Sequence, residues 1–311
     1  MTVLIDPARW PAHGTVFSHL VSDHSLEELH AFAEAAGISP RAFDGDHYDV
    51  PVERYQDLVA RGAVEVSGAE LVRRLVASGL RIPASHRSGK LDKILTQRFN
   101  RLLPGHSPLE RDPVVADLLD RWSEPHRHYH DRSHLLAVLK GIDLLLRHGE
   151  DCGRWDRAVK LAAWFHDAVY RADPARPPGQ DEEDSASLAE SVLSGLGLPD
   201  GEVAETARLI RLTVSHDPDP ADHAGAVLCD ADLEVLGRSR GDYGRYLAAV
   251  RRDFAHVPDD AFARGRAAVV QSLLDADPLY RTRTGRRLWA RAARRNLTAE
   301  LHPTARMWTR R

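Results

Sequence analysis

The segment Leu161-Ala-Ala-Trp-Phe-His166-Asp167-Ala-Val-Tyr170 sets one adjacent His-Asp pair in an apolar run whose pattern predicts a buried helix. Two ionisable groups buried there would cost several kcal/mol unless they were paired or ligated. Upstream, Pro125-His-Arg-His-Tyr129-His130-Asp-Arg-Ser-His134 leads into another apolar helix, and the i, i+4 relation of His130 and His134 places both on one helical face. Downstream, Val227-Leu-Cys-Asp230-Ala-Asp232-Leu embeds two acids in a third apolar stretch. Each segment alone reads equally as a structural hydrogen-bonded pair. Together they supply imidazoles and carboxylates from separate helices, a donor set suited to a borderline or hard divalent ion in a helical core.

The elements that must position these groups are helical. From Leu91 onward the apolar spacing is helical, with Leu91, Ile94, Leu95, Phe99 and Leu102 in one run and Val114, Val115, Leu118, Leu119 and Trp122 in the next. Further helices are expected at 134–147, 155–170, 182–196, 202–215, 225–237, 242–255 and 259–275, with breaks at Arg-Pro-Pro-Gly (176–179) and Asp-Pro-Asp-Pro (217–220). Residues 1–83 read differently, as a small α/β domain. Strands are expected at Val3 to Ile5, Val16 to Val21 and Val64 to Val66. Helices are expected after the Ser25 N-cap, from Pro51 to Ala60, and from Gly68 to Ala77. The polar stretch 84–90 reads as a linker and 301–311 as a tail. The expected fold is mainly α: an all-helical bundle over 91–300 preceded by the α/β domain.

Composition narrows the function classes. Of 311 residues, 43% are hydrophobic and 28% charged, ordinary values for a globular chain. A net charge of −4 argues against a dedicated nucleic-acid or membrane-surface protein, and no apolar stretch approaches the roughly 20 residues that span a bilayer. The opening Met-Thr-Val-Leu-Ile-Asp-Pro lacks a secretory pattern, and Cys152 and Cys229 are too few for a disulfide framework or thiolate cage, so a cytoplasmic location is expected. Walker and Gly-x-Ser-x-Gly motifs are absent.

In the order of its motifs the chain resembles the HD-domain superfamily of metal-dependent phosphohydrolases, over roughly residues 91–300. His134, then the adjacent His166-Asp167, then the distant Asp232 fit that pattern, and Tyr129-His130-x-x-x-His134 looks like the helix start of related cyclic-nucleotide phosphodiesterases. The resemblance implies metal ligands His134, His166, Asp167 and Asp232, with Asp230 as the alternate to Asp232. It implies His130 as general acid, whose bland reading is a helix cap or an exposed histidine. His216 lies in the interval where some members hold a second metal, and it reads nearly as well as a histidine satisfying helix-end carbonyls. Glu183, in an acidic helix opening that the macrodipole alone would favour, becomes a residue orienting a ligand or the metal water. Arg127 and Arg132 flank the histidines and suit a phosphate contact, although arginine is abundant throughout.

Residues 3–82 resemble an uncharacterised bacterial domain of unknown function, on Asp6-Pro-Ala-Arg-Trp10-Pro, Ser18-His19-Leu-Val-Ser-Asp23, the helix after Ser25, and Asp46-His47-Tyr48-Asp49-Val-Pro51. Asp6, Arg9, His19, Asp23, His47 and Asp49 are dense enough to form a site, or else cap turns and elements of a small domain. The functional expectation is hydrolysis of a small nucleotide or related phosphate ester with a divalent Mn, Fe, Co, Ni, Zn or Mg ion. A sensor that binds a nucleotide without hydrolysing it is the alternative.

Overall fold

The computed structural model describes residues 2–12, 14–81 and 88–301, and the chain forms two compact units, Met1–Ile94 and Leu95–Arg311. In the first unit the strands are β1 (Val3–Ile5), β2 (Trp10–Ala12), β3 (Thr15–Ser22), β4 (Tyr48–Pro51) and β5 (Val64–Glu65). β3 is the organiser: it pairs antiparallel with β1, β2 and β4, while β5 joins β1 in parallel. Alternation along β1 explains the layering. Val3 and Ile5 share one cluster with Leu20, Leu29, Tyr48 and Leu58, whereas Leu4 packs with Val21, Leu71 and Leu75. Helices α1 (Leu26–Ala35) and α2 (Tyr55–Ala60) therefore supply one core and α3 (Gly68–Ser78) the other.

Local chemistry sets the ends of these elements. The Ser25 side chain accepts from Glu28 N and caps α1, and Gly37, at φ 68°, occupies the left-handed conformation that stops it. The helix expected from Pro51 begins later: Pro51 ends β4, and a 3-10 turn, Val52–Arg54, precedes α2.

In the second unit the described residues are helical. α4 (Ser88–Leu102) begins inside the stretch read as a linker, whose residues 84–87 lie outside the described residues, as do 302–311 of the expected tail. There follow α5 (Pro108–Arg121), α6 (Arg132–Arg147), α7 (Asp156–Phe165), α8 (Gln180–Gly195), α9 (Asp200–Leu212), α10 (His223–Asp232), α11 (Arg240–Asp253), α12 (Asp259–Asp275), α13 (Arg283–Leu288) and α14 (Ala290–Leu301). α10 packs against α6, α7 and α9, and α8 packs against α9. Leu135, Leu139, Ile142, Val159, Leu161, Trp164, Phe165, Leu209, Ile210 and Leu228 are buried among these helices. The α6–α10 approach is close because position 141 is glycine: a Cβ there would stand 3.1 Å from Ala231 Cβ and 3.2 Å from Ala231 Cα. No helix among the described residues is long and apolar enough to cross a membrane.

Candidate metal centre

Helix α7 stops at Phe165, five residues short of the expected end at 170, so His166 and Asp167 sit where the helix breaks rather than within it. Arg127 accounts for the break. Its side chain is fully buried and donates to the carbonyls of Asp167 (2.7 Å), His130 (3.1 Å) and Ala168 (3.3 Å). Carbonyls freed at a helix end need such donors. Arg127 is thus a structural clamp between two motif segments, and its expected place as a phosphate contact is corrected: the guanidinium is spent on main-chain oxygens and, through Nε, on Glu124 at 3.0 Å. It also lies over the Trp122 and Tyr170 rings, 5.5 Å and 5.3 Å from their centroids.

His134 enters from the first turn of α6, where the Asp131 side chain caps the helix by accepting from Ser133 N and His134 N. His166 sends Nδ1 to the Ala163 carbonyl at 2.9 Å. A carbonyl only accepts, so Nδ1 carries a proton and Nε2 is the nitrogen that faces the cluster, offering a lone pair to a cation once its own proton is displaced. His134 Nε2 and His166 Nε2 stand 3.3 Å apart. Asp167 Oδ2 lies 3.3 Å from His166 Nε2 and 3.6 Å from His134 Nε2. Asp232 Oδ1, at the end of α10, lies 3.1 Å from His134 Nε2 and 3.6 Å from His166 Nε2. The donors of His134, His166 and Asp167 all fall within 4.8 Å of one another, a grouping that can hold a metal ion. Donors bound about 2.0–2.2 Å from one ion stand roughly 3–3.6 Å from their neighbours. The observed separations fit that requirement.

The electrostatics point the same way. Burial pulls the His166 pKa down, yet the Asp167 and Asp232 carboxylates outweigh it and hold the imidazole at about 9. Burial opposes ionisation of Asp167 and Asp232, and His166 overcomes it, so Asp167 is lowered and Asp232 lies well below the usual carboxylate range. Two half-buried carboxylates thus face two buried imidazoles, and positive charge among them, from a proton or a cation, offsets the carboxylate charge. The rings of Trp122 and His166, 5.5 Å apart, give the centre an apolar wall.

Other sequence expectations separate at this point. Asp230, the alternate ligand, is fully buried and accepts from Arg281 N (2.7 Å), Thr282 N (2.8 Å) and the Thr282 hydroxyl (2.6 Å). Two residues along a helix point about 200° apart, so Asp230 and Asp232 serve opposite sides of α10, and Asp230 is removed from the ligand set. Burial pushes its carboxyl up to about 6. His216 places Nε2 2.8 Å from Asp232 Oδ2, the oxygen not shared with His134. Its backbone is left-handed at φ 51°, an unusual conformation for a residue with a Cβ. Glu183, expected beside the ligands, is exposed and bound to Arg211 of α9 at 2.6 and 2.7 Å. Its neighbour Glu182 is the half-buried one, raised by burial and by the Asp167 charge. Arg132 opens α6 and is half-buried.

Sequence reasoning missed Asp253. This buried acid at the end of α11 accepts from His128 N (2.5 Å) and Tyr129 N (3.2 Å) through Oδ1. Its Oδ2 lies 2.9 Å from His130 Nδ1 and accepts from the Tyr170 hydroxyl at 3.3 Å. Burial works against its charge, and His130 nonetheless keeps Asp253 below the usual range. The signal available was an acid in phase with Tyr246 and Val250 on the inward side of α11.

Residues 3–78 match the model of a family described as a protein of unknown function, DUF4031. No curated protein and no solved structure matches the chain.

Proposed function

We propose that the helical unit is an HD-type metal-dependent phosphohydrolase acting on a small nucleotide or related phosphate ester. The observation that carries this reading is the grouping of His134, His166 and Asp167 donors within 4.8 Å of one another, with Asp232 Oδ1 3.1 and 3.6 Å from the two imidazoles. A divalent ion bound there supplies a Lewis acid that lowers the pKa of water and offsets phosphoryl charge. Manganese, iron, cobalt, nickel, zinc and magnesium are all compatible with two imidazoles and two carboxylates.

The chain's own groups do the remaining work. Ala163 fixes the His166 tautomer, and His216 holds the outer oxygen of Asp232, so two ligands are oriented before anything binds. Asp253 Oδ2 accepts from His130 Nδ1 in this reading, which orients the ring so that Nε2 can deliver a proton to a departing oxygen. His130 adjoins this centre: its ring centroid is 5.6 Å from that of His134 and 4.3 Å from that of Tyr170. Arg132, on the first turn of α6, contacts the phosphoryl oxygens in this reading, while Glu182, raised by burial, places its carboxyl within reach of the Asp167 charge.

The test is a panel of nucleotides and phosphate esters incubated with the full chain and added Mn. Phosphate or nucleoside release that disappears in His166→Ala is the expected result. Tight nucleotide binding with no turnover under any of the six metals would overturn the enzyme and leave the sensor.

A further inference from the structure

A second constellation lies in the N-terminal unit, far along the chain from the helical motifs. His19 and Asp49 are directly paired across β3 and β4, so their side chains emerge on the same face of the sheet. His47 precedes Asp49 by two residues and shares that side. Both imidazoles are held from behind. Asp6 accepts from His19 N at 2.6 Å and lies 3.1 Å from His19 Nδ1, while Asp46 Oδ1 lies 2.7 Å from His47 Nδ1. Asp6 and Asp46 are buried, and Arg81 donates to the other oxygen of Asp46 at 3.1 Å. A carboxylate accepts, so each Nδ1 carries a proton and each Nε2 is turned forward, where it can offer a lone pair to a cation. In front stands a third carboxylate, with Asp49 Oδ1 3.3 Å from His47 Nε2 and 3.9 Å from His19 Nε2.

Two lone pairs facing a carboxylate repel one another unless positive charge lies among them. We propose that the N-terminal unit carries its own divalent-cation site, with His19 Nε2, His47 Nε2 and Asp49 Oδ1 as ligands. The three donors lie within 4.8 Å of one another. The carboxylates behind both rings are the arrangement that fixes the tautomer of metal-bound histidine and raises its basicity. Among the described residues, two histidines and one carboxylate supply three donors, fewer than the four or more that a divalent ion takes. The approach is open: the Asp49 side chain is 45% exposed. Trp10, 57% exposed with its ring centroid 5.3 Å from that of His19, offers a flat surface beside it for a ring-bearing ligand. The reading requires nothing of the helical unit.

The experiment uses the full chain stripped by chelator and titrated with Co(II), in a His166→Ala background that disables the helical centre. One equivalent of cobalt with a visible d–d spectrum is expected, and it is lost in Asp49→Asn, where the half-exposed side chain keeps its shape and the fold is retained by circular dichroism. Asp49→Cys should add a thiolate-to-cobalt charge-transfer band, reporting direct ligation. If both imidazoles are instead protonated and merely ion-paired, cobalt stoichiometry is the same with and without Asp49→Asn and no charge-transfer band forms; that result overturns the site. Failure of the helical centre is read separately, as an unchanged stoichiometry between the wild-type chain and His166→Ala.

Discussion

At the scale of single residues, proton positions govern the chemistry. His166 must be neutral to ligate, yet in the metal-free chain it is held near 9 by Asp167 and Asp232. Metal and proton therefore compete, and below pH 9 the apparent affinity should fall about tenfold per pH unit. Titrations at pH 7 and pH 8 that give equal affinities would contradict this. The same shift fixes a sign for the metal-free fold. A folded pKa raised above 6.5 contributes stability that is complete below pH 6.5 and lost as pH rises through 9. Denaturant melts of the stripped chain should accordingly weaken between pH 7 and pH 9, by an amount on the order of 3 kcal/mol at about 1.4 kcal/mol per unit. Asp253→Asn addresses a different proton. It keeps an oxygen for the amides of His128 and Tyr129 but withdraws the charge behind His130, so turnover should drop about 10- to 100-fold with metal content intact. Loss of the metal in that variant would place Asp253 in the ion's support rather than in acid catalysis.

At the scale of elements, positioning rests on a clamp and a close approach. Arg127 ties the end of α7 to the loop before α6 through three carbonyls. Arg127→Met keeps the stem and leaves those carbonyls unpaired, which should cost about 3 kcal/mol or more and reduce metal retention. A variant as stable as the parent would remove the clamp from the account. Gly141→Val would drive a branched side chain into Ala231, separate α6 from α10, and pull His134 from Asp232. Weaker metal binding with the helical circular dichroism preserved is the expected outcome. What the sequence disclosed follows the same division. The segments around His134, His166-Asp167 and Asp230/Asp232 are legible because polar groups interrupt strong apolar periodicity, whereas the preference for Asp232 over Asp230 rests on the resemblance alone. Glu182 was displaced by one residue in favour of Glu183, and one residue on a helix is about 100° of direction. β4 escaped notice because it is four residues long and contains Asp49 and Pro51; its strand character comes from pairing with β3. Asp253 depends wholly on tertiary contact, since its partners lie 83 to 125 residues away.

At the scale of the whole molecule, the chain joins a DUF4031 stretch, residues 3–78, to a helical unit, and each carries a histidine–carboxylate cluster able to hold a cation. In the helical unit His134, His166 and Asp167 group together with Asp232 beside both imidazoles, while Asp230, Glu183 and Arg127 turn to other partners. The most direct test is an anomalous-difference map from crystals of the full chain grown with Mn. The account requires a peak within coordination distance of His134 Nε2, His166 Nε2, Asp167 Oδ2 and Asp232 Oδ1. A map with no peak among those atoms, and the two imidazoles bridged by hydrogen bonds instead, would contradict it.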